Sequence, residues 1–222
     1  TADYLTDFSK RYPMRSVLRY LEGMAGLKVL LVGESIIDEY NYCTAIGKSS
    51  KEPMLAVQYL STEKFAGGIL ALANHASSFC KEATVLSYLG ENNPQETFIR
   101  KSLRVEVKPH FFHKKNAPTI VKRRFIDRYF FTKMLAVYEM NDAPLGAADN
   151  KRLCNFLKAK AADFDLVIVV DFGHGMMSRE AIGILCDKAR FLAVNTQSNA
   201  GNQGYHAVSQ YRRADYICMA DN

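Results

Sequence analysis

A chain of 222 residues that is 48% hydrophobic carries enough apolar mass to bury a sizeable core, which excludes disorder of the whole. Its 29 Lys and Arg against 23 Asp and Glu leave a formal net charge of +6, a mild excess that suits anionic small molecules or nucleic acid. The densest basic groups, Lys122-Arg123-Arg124 and Arg212-Arg213, lack the aromatic-rich signatures of nucleic-acid readers, so no nucleic-acid partner is expected.

Cys43, Cys80, Cys154, Cys186 and Cys218 are scattered, odd in number and without a Cys-x-x-Cys pair, which predicts buried reduced thiols rather than a disulfide framework or zinc site. His75, His110, His113, His174 and His206 show no zinc-binding spacing, and no metal site is expected. His110 and His113 read as part of a solvated loop. The longest aliphatic run, Leu166 to Val170, is too short to span a bilayer, and the first residues lack a signal-peptide layout. A cytoplasmic protein with no membrane partner is the expectation.

Residues 1–26 read as a helical lead-in. Pro13 suits a first helical turn, and Met14, Val17, Leu18, Leu21 and Ala25 recur at helical spacing on one side, a stripe that calls for a partner surface. Val29 to Val32 then form a short apolar run closed by Gly33, as in a strand of a parallel sheet buried on both faces. Asp38 is expected near that strand's exit, where it either accepts hydrogen bonds from a ligand's hydroxyls or caps a turn.

Further strands are predicted at Ala83 to Ser87, Leu166 to Val170 and Phe191 to Val194. Helices are predicted at Ile69 to Phe79, Asp149 to Ala162 and Ser178 to Ala189, with Ser178 as an N-cap. Alternating strands and helices imply a mainly parallel sheet flanked by helices. The rhythm breaks at 42–65 and 108–138, where β-like pieces such as Met54 to Tyr59 and Thr119 to Ile126 predict a smaller antiparallel sheet over one edge of the first.

Gly67-Gly68 leads directly into the helix that carries Asn74. Paired glycines there let backbone N–H groups approach a sugar oxygen or a phosphate, although most such pairs are simply turns. Asp171 follows a buried run and is either a ligand-facing acid at a strand's carboxyl end or a carboxylate tying down the Phe172-Gly173-His174-Gly175 turn. If Thr119 to Ile126 is a strand, Lys122 and Arg124 share one face and Arg123 takes the other. Two cations on one face can hold a phosphate, or can blunt an edge strand.

Taken in order, Val32-Gly33-Glu34 with Asp38 and Tyr40, the phrase Gly47 to Pro53, Ala66-Gly67-Gly68 with Asn74, Pro118-Thr119 with Lys122 and Arg124, and Asp171-Phe172-Gly173-His174-Gly175 resemble the ribokinase-like, or phosphofructokinase-B, carbohydrate kinases. The likeness is strongest to the sugar-kinase half of bifunctional heptose-phosphate kinase and nucleotidyltransferase enzymes, and covers about the N-terminal two-thirds of such a domain. It implies a three-layer αβα sandwich with a mainly parallel sheet and a small β lid, incomplete at its C-terminal side, over residues 27–222, with lid segments near 42–65 and 108–138.

By the same resemblance, the activity is phosphoryl transfer from ATP with Mg²⁺ to a sugar or sugar phosphate, and a homodimer forms through the lid. Asp38, Gly67, Gly68 and Asn74 would bind the sugar, Lys122 and Arg124 a phosphate already on it, and Asp171, Asn195 and Asp221 would lie on the nucleotide and phosphate side. The family's catalytic Gly-Ala-Gly-Asp loop does not occur in these residues, and His174 stands where the heptose kinases carry lysine. A fragment that needs its C-terminal part for activity is therefore expected. The alternatives are a non-catalytic sugar-phosphate-binding or dimerisation module of the same fold, and a nucleotide-sugar transferase known only from the usual domain partner.

Overall fold

The computed structural model describes residues 2–49, 51–198 and 206–220. Helices α1 (Ala2–Arg11) and α2 (Met14–Met24) form the lead-in, with Pro13 at the N-cap of α2. Neither helix buries a residue, so Leu18 and Leu21 stay exposed.

The chain continues through β1 (Lys28–Gly33), β2 (Ser35–Lys48), β3 (Leu55–Gly68), α3 (Ile69–Ala76), β4 (Glu82–Asn92), α4 (Glu96–Ser102) and β5 (Val107–Pro118). It then forms β6 (Ile120–Asp127), β7 (Lys133–Glu139), α5 (Ala147–Lys160), β8 (Leu166–Asp171), α6 (Arg179–Lys188), β9 (Leu192–Thr196) and β10 (Tyr216–Cys218). The main sheet has the order β10-β9-β8-β1-β4-β5, with every neighbouring pair parallel. Parallel neighbours need crossover connections, and α3 to α6 supply helices on both faces.

β1 shows why its apolar run needs no polar alternation. Leu30 and Val32 point into the core shared with Leu153 and Leu157 of α5 and Leu185 of α6, while Val29 and Leu31 point into the core of Leu70 and Ile99 from α3 and α4. Each such side chain removed from water contributes about 1.5–3 kcal/mol. The predicted αβα layering is present, and Ser178 caps α6 by accepting a hydrogen bond from Ala181 N.

A second, four-stranded sheet has the order β3-β2-β6-β7. It is mixed rather than antiparallel, because β2 and β6 pair in parallel while β2–β3 and β6–β7 are antiparallel. The predicted boundary of its second segment also moves. Residues 108–118 belong to β5 at the edge of the main sheet, and the small sheet resumes only at Ile120.

An edge strand is half solvated, so the polar alternation of Lys108 and His110 imitates a loop; His110 in fact stacks on Phe156, ring centroids 4.4 Å apart. β5 escaped sequence reading for this reason, and α4, only seven residues long, is too short to carry a clear period. Cys43, Cys154 and Cys186 are buried thiols as expected, whereas Cys80 is partly exposed and Cys218 exposed on β10.

Candidate functional site

The break between the two sheets is one residue long. β1 ends at Gly33, Glu34 turns the chain, and β2 begins at Ser35. Asp38 is therefore not at the exit of β1 but four residues into a strand of the small sheet. On β2 it stands opposite Lys122 of β6 on one side and Phe65 of β3 on the other, and Tyr40 stands opposite Arg124. Cross-strand partners share a face, so Asp38, Tyr40, Lys122, Arg124 and Phe65 all project the same way.

Arg124 Nη1 donates to Asp38 Oδ1 at 2.5 Å, and its guanidinium lies 5.4 Å from the Tyr40 ring centre. Lys122 Nζ sits 5.5 Å from the Tyr138 ring and 6.0 Å from the Phe172 ring, the latter in the loop after β8. Lys122 Nζ has no hydrogen bond or ion pair among the described residues. Burial pulls its pKa down from the ordinary lysine range, and Asp38 partly restores it.

Gly67 lies beside Asp38: a Cβ there would land on Asp38 Oδ2, so glycine is what lets the carboxylate lie flat against β3. Gly68 has φ +57° and would set a Cβ against Glu34 O, making it the left-handed step that turns β3 into α3. Asp38, Tyr40, Tyr42, Phe65, Ile126 and Phe131 line a cleft of about 470 Å³ on this face. A carboxylate acceptor amid aromatic rings can take hydroxyls at its floor and apolar C–H faces at its walls.

Arg123, on the opposite face, bonds Glu39 at 3.0 Å and Glu139 at 2.8 Å, and Lys64 adds an ion pair to Glu39 at 3.3 Å. The strand alternation thus splits the basic triplet into a structural pair network and a cleft-facing pair of cations.

Asn74 is not gathered with these groups. Its amide donates to Ser102 O at 2.8 Å and accepts from Arg104 N at 2.9 Å, which commits it to the connection between α4 and β5. Helical phase aims it there, although its place after the twin glycines made it a sugar-site candidate.

Asp171 ends β8 and is 1% exposed. Its Oδ2 accepts from Tyr211 Oη at 2.8 Å and its Oδ1 accepts from Gly173 N at 3.2 Å, while His206 Nε2 lies 2.9 Å from Oδ1 as an ion-pair contact. That contact raises the pKa of His206, and burial raises that of Tyr211. Asn195, at the carboxyl end of β9, donates to Cys218 O at 2.6 Å, and its buried Oδ1 has no partner among the described residues. Asn195, Thr196, His206 and Met219 border a second cleft of about 510 Å³ at the ends of β9 and β10. Asp221 lies outside the described residues. Among the described residues, no three His, Cys, Asp or Glu side chains are grouped to hold a metal ion.

Sequence reading gave no role to Glu34, which is fully buried. Its Oε2 accepts from Phe172 N at 3.1 Å, and its Oε1 from His174 N at 3.1 Å and Met176 N at 3.5 Å. Burial, and then the charge of Asp171, push its pKa up to about 7. The one available signal was an acid placed directly after a doubly buried strand. His174 of the same loop is likewise buried, 1% exposed, with Nδ1 2.9 Å from Asp142 Oδ1.

No protein-family model matches the chain. Its sequence is similar to the bifunctional protein HldE of Rhodopseudomonas palustris strain TIE-1, 26% identical over 176 residues that cover 78% of this chain and 35% of the relative. The HldE of Azotobacter vinelandii is 24% identical over 189 residues, covering 85% and 38%. The chain thus spans little more than a third of the length of these curated relatives.

Among solved structures, the ribokinase of Giardia lamblia superposes with a TM-score of 0.61 at 12% identity, covering 87% of this chain and 58% of that one. Phosphofructokinase-2 of Escherichia coli, in complex with fructose-6-phosphate, superposes with a TM-score of 0.57 at 14% identity, covering 78% and 56%. The chain therefore has the ribokinase-like fold, a parallel αβα sandwich with an added small sheet, and resembles in sequence the bifunctional HldE proteins.

Proposed function

We propose that this chain is the sugar-binding, lid-bearing part of an ATP-dependent carbohydrate kinase whose acceptor is a sugar or sugar phosphate of the heptose-phosphate kind. One observation carries the reading: Asp38, Gly67, Lys122 and Arg124 come from three strands to one face at the carboxyl edge of a parallel sheet, where such folds collect ligands. The similarity to HldE proteins and the fold shared with two sugar-directed kinases support it.

In this reading the small sheet is a lid. Asp38 accepts hydrogen bonds from sugar hydroxyls, and Gly67 gives that carboxylate its place against β3. Arg124 uses one Nη1 on Asp38, so its remaining N–H groups can fork onto a phosphate while Lys122 adds a point charge. ATP would occupy the cleft at the ends of β9 and β10, where Asn195 Oδ1 lacks a partner among the described residues. Asp171, held by Tyr211, would shape that side of the site. Mg²⁺ fits as an ion carried by the ATP phosphates, since it is commonly held by substrate phosphates with few protein ligands. When bound, it neutralises charge on the transferring group. The protein's own work is to align a hydroxyl with that group and to hold the substrate's charge.

Isothermal titration calorimetry with fructose 6-phosphate, a seven-carbon sugar phosphate and the unphosphorylated sugars tests the binding claim. Binding of a phosphosugar that Arg124→Met weakens about ten-fold or more is expected; no binding of any of them sinks the reading. A second reading is a non-catalytic phosphosugar-binding module, for which the acceptor Asp38 and the cations Lys122 and Arg124 on one face would serve equally well. Phosphosugar binding without ADP release by the complete natural protein would select it.

A further inference from the structure

The lid joins the main sheet at both ends of its path through the chain, and the two junctions meet at one loop. At the first junction, Glu34 accepts three backbone N–H groups from Phe172, His174 and Met176. At the last, the segment between β7 and α5 is held on several sides. Asp142 faces His174 Nδ1 at 2.9 Å, and because a carboxylate only accepts, Nδ1 carries the proton. Leu145 N donates to Gly175 O at 3.1 Å, and Gly175, at φ +84°, packs so closely under Ala143 O that no side chain fits.

Lys114 fastens the same segment from β5. It is 3% exposed, and its Nζ donates to Asn141 O and to Ala143 O, each at 2.6 Å, above the Tyr88 ring. A buried ammonium is costly unless its donors are satisfied, so those two carbonyls are held firmly. Tyr88 Oη in turn donates to His174 O at 3.3 Å. Phe172 of the same loop lies beside Lys122 on the cleft face of the lid.

We propose that the loop from Phe172 to Met176 is a latch that sets the lid's posture over the sheet, gripped by Glu34 at one junction and by Asp142, through His174, and Lys114 at the other. These four are positioning residues: they hold the strands that carry Asp38, Lys122 and Arg124 rather than meeting ligand themselves. The latch stands on geometry alone, and only its effect on ligand affinity rests on the kinase reading.

Hydrogen exchange read by mass spectrometry on the wild type, Asp142→Ala, Asp142→Asn and Lys114→Met tests the latch. Asp142→Ala and Lys114→Met should speed exchange in β6 and β7 about ten-fold while β1 and β4 stay within about two-fold. Asp142→Asn, which keeps an oxygen for His174 Nδ1–H, should hold the wild-type rates. Unchanged exchange of β6 and β7 in Asp142→Ala, or equal acceleration of lid and main sheet by it, overturns the proposal. Asp142 is partly exposed, so its variants decide the matter even if Lys114→Met fails to fold.

Fructose 6-phosphate titrated into the same variants adds a second readout, with affinity lost in Asp142→Ala and restored in Asp142→Asn. If the wild type binds no phosphosugar, the sugar reading falls while the exchange data still judge the latch.

Discussion

Asp38 depends on its neighbours more than on its own position. Gly67 leaves the space its carboxylate occupies, and Arg124 fixes the direction of one oxygen. Gly67→Ala should therefore displace a flexible carboxylate at little cost to stability, yet weaken phosphosugar binding about ten-fold or more, roughly 1.4 kcal/mol. Calorimetry alongside thermal melts separates the two effects.

Glu34 yields a pH prediction of fixed sign. Burial raises its folded pKa from 4.5 to about 7, so the native state holds the proton more tightly than the unfolded chain does. Its contribution is full below pH 4.5 and is lost as pH rises through about 7. Glu34→Gln stays neutral throughout, so the part of the fall in melting temperature due to this group should vanish from its melts over that window.

Strand β6 shows what period-two alternation decides. Arg123 and Arg124 are adjacent in sequence and identical in chemistry, but one faces Glu39 and Glu139 and the other faces Asp38. Arg123→Met should lower stability, because Glu39 is nearly buried and loses its shortest side-chain contact, at 3.0 Å, and should leave phosphosugar affinity unchanged. Arg124→Met should do the reverse; equal effects of both on binding would refute the facial assignment. In α6, Ser178→Ala removes the N-cap bond to Ala181 N and should cost about 1 kcal/mol in denaturant melts. Elements whose burial is uniform or strongly periodic, such as β1, β8, β9 and α6, were legible from the sequence. β5 and α4 were not, since an edge strand and a seven-residue helix carry weak patterns.

Across the whole molecule, β7 leaves the small sheet with an open edge on which Leu135 and Val137 are 59% and 45% exposed. Such an edge calls for cover, and the homodimer that the family resemblance implies would supply it from the partner's small sheet. If that dimer forms, the double variant Leu135→Asp with Val137→Asp should convert it to a monomer in sedimentation velocity; a wild type that is already monomeric would remove that expectation.

The αβα layering and the common face of Lys122 and Arg124 could be read in advance because both follow from local periodicity, which the backbone enforces within a few residues. The placement of Asp38 on a second sheet, the diversion of Asn74 to Ser102 and Arg104, and the grip of Glu34 on a loop about 140 residues away along the chain could not. Those depend on which buried polar groups find partners once the sheets have packed, and a hydrogen bond between distant segments leaves no periodic trace in the order of the residues.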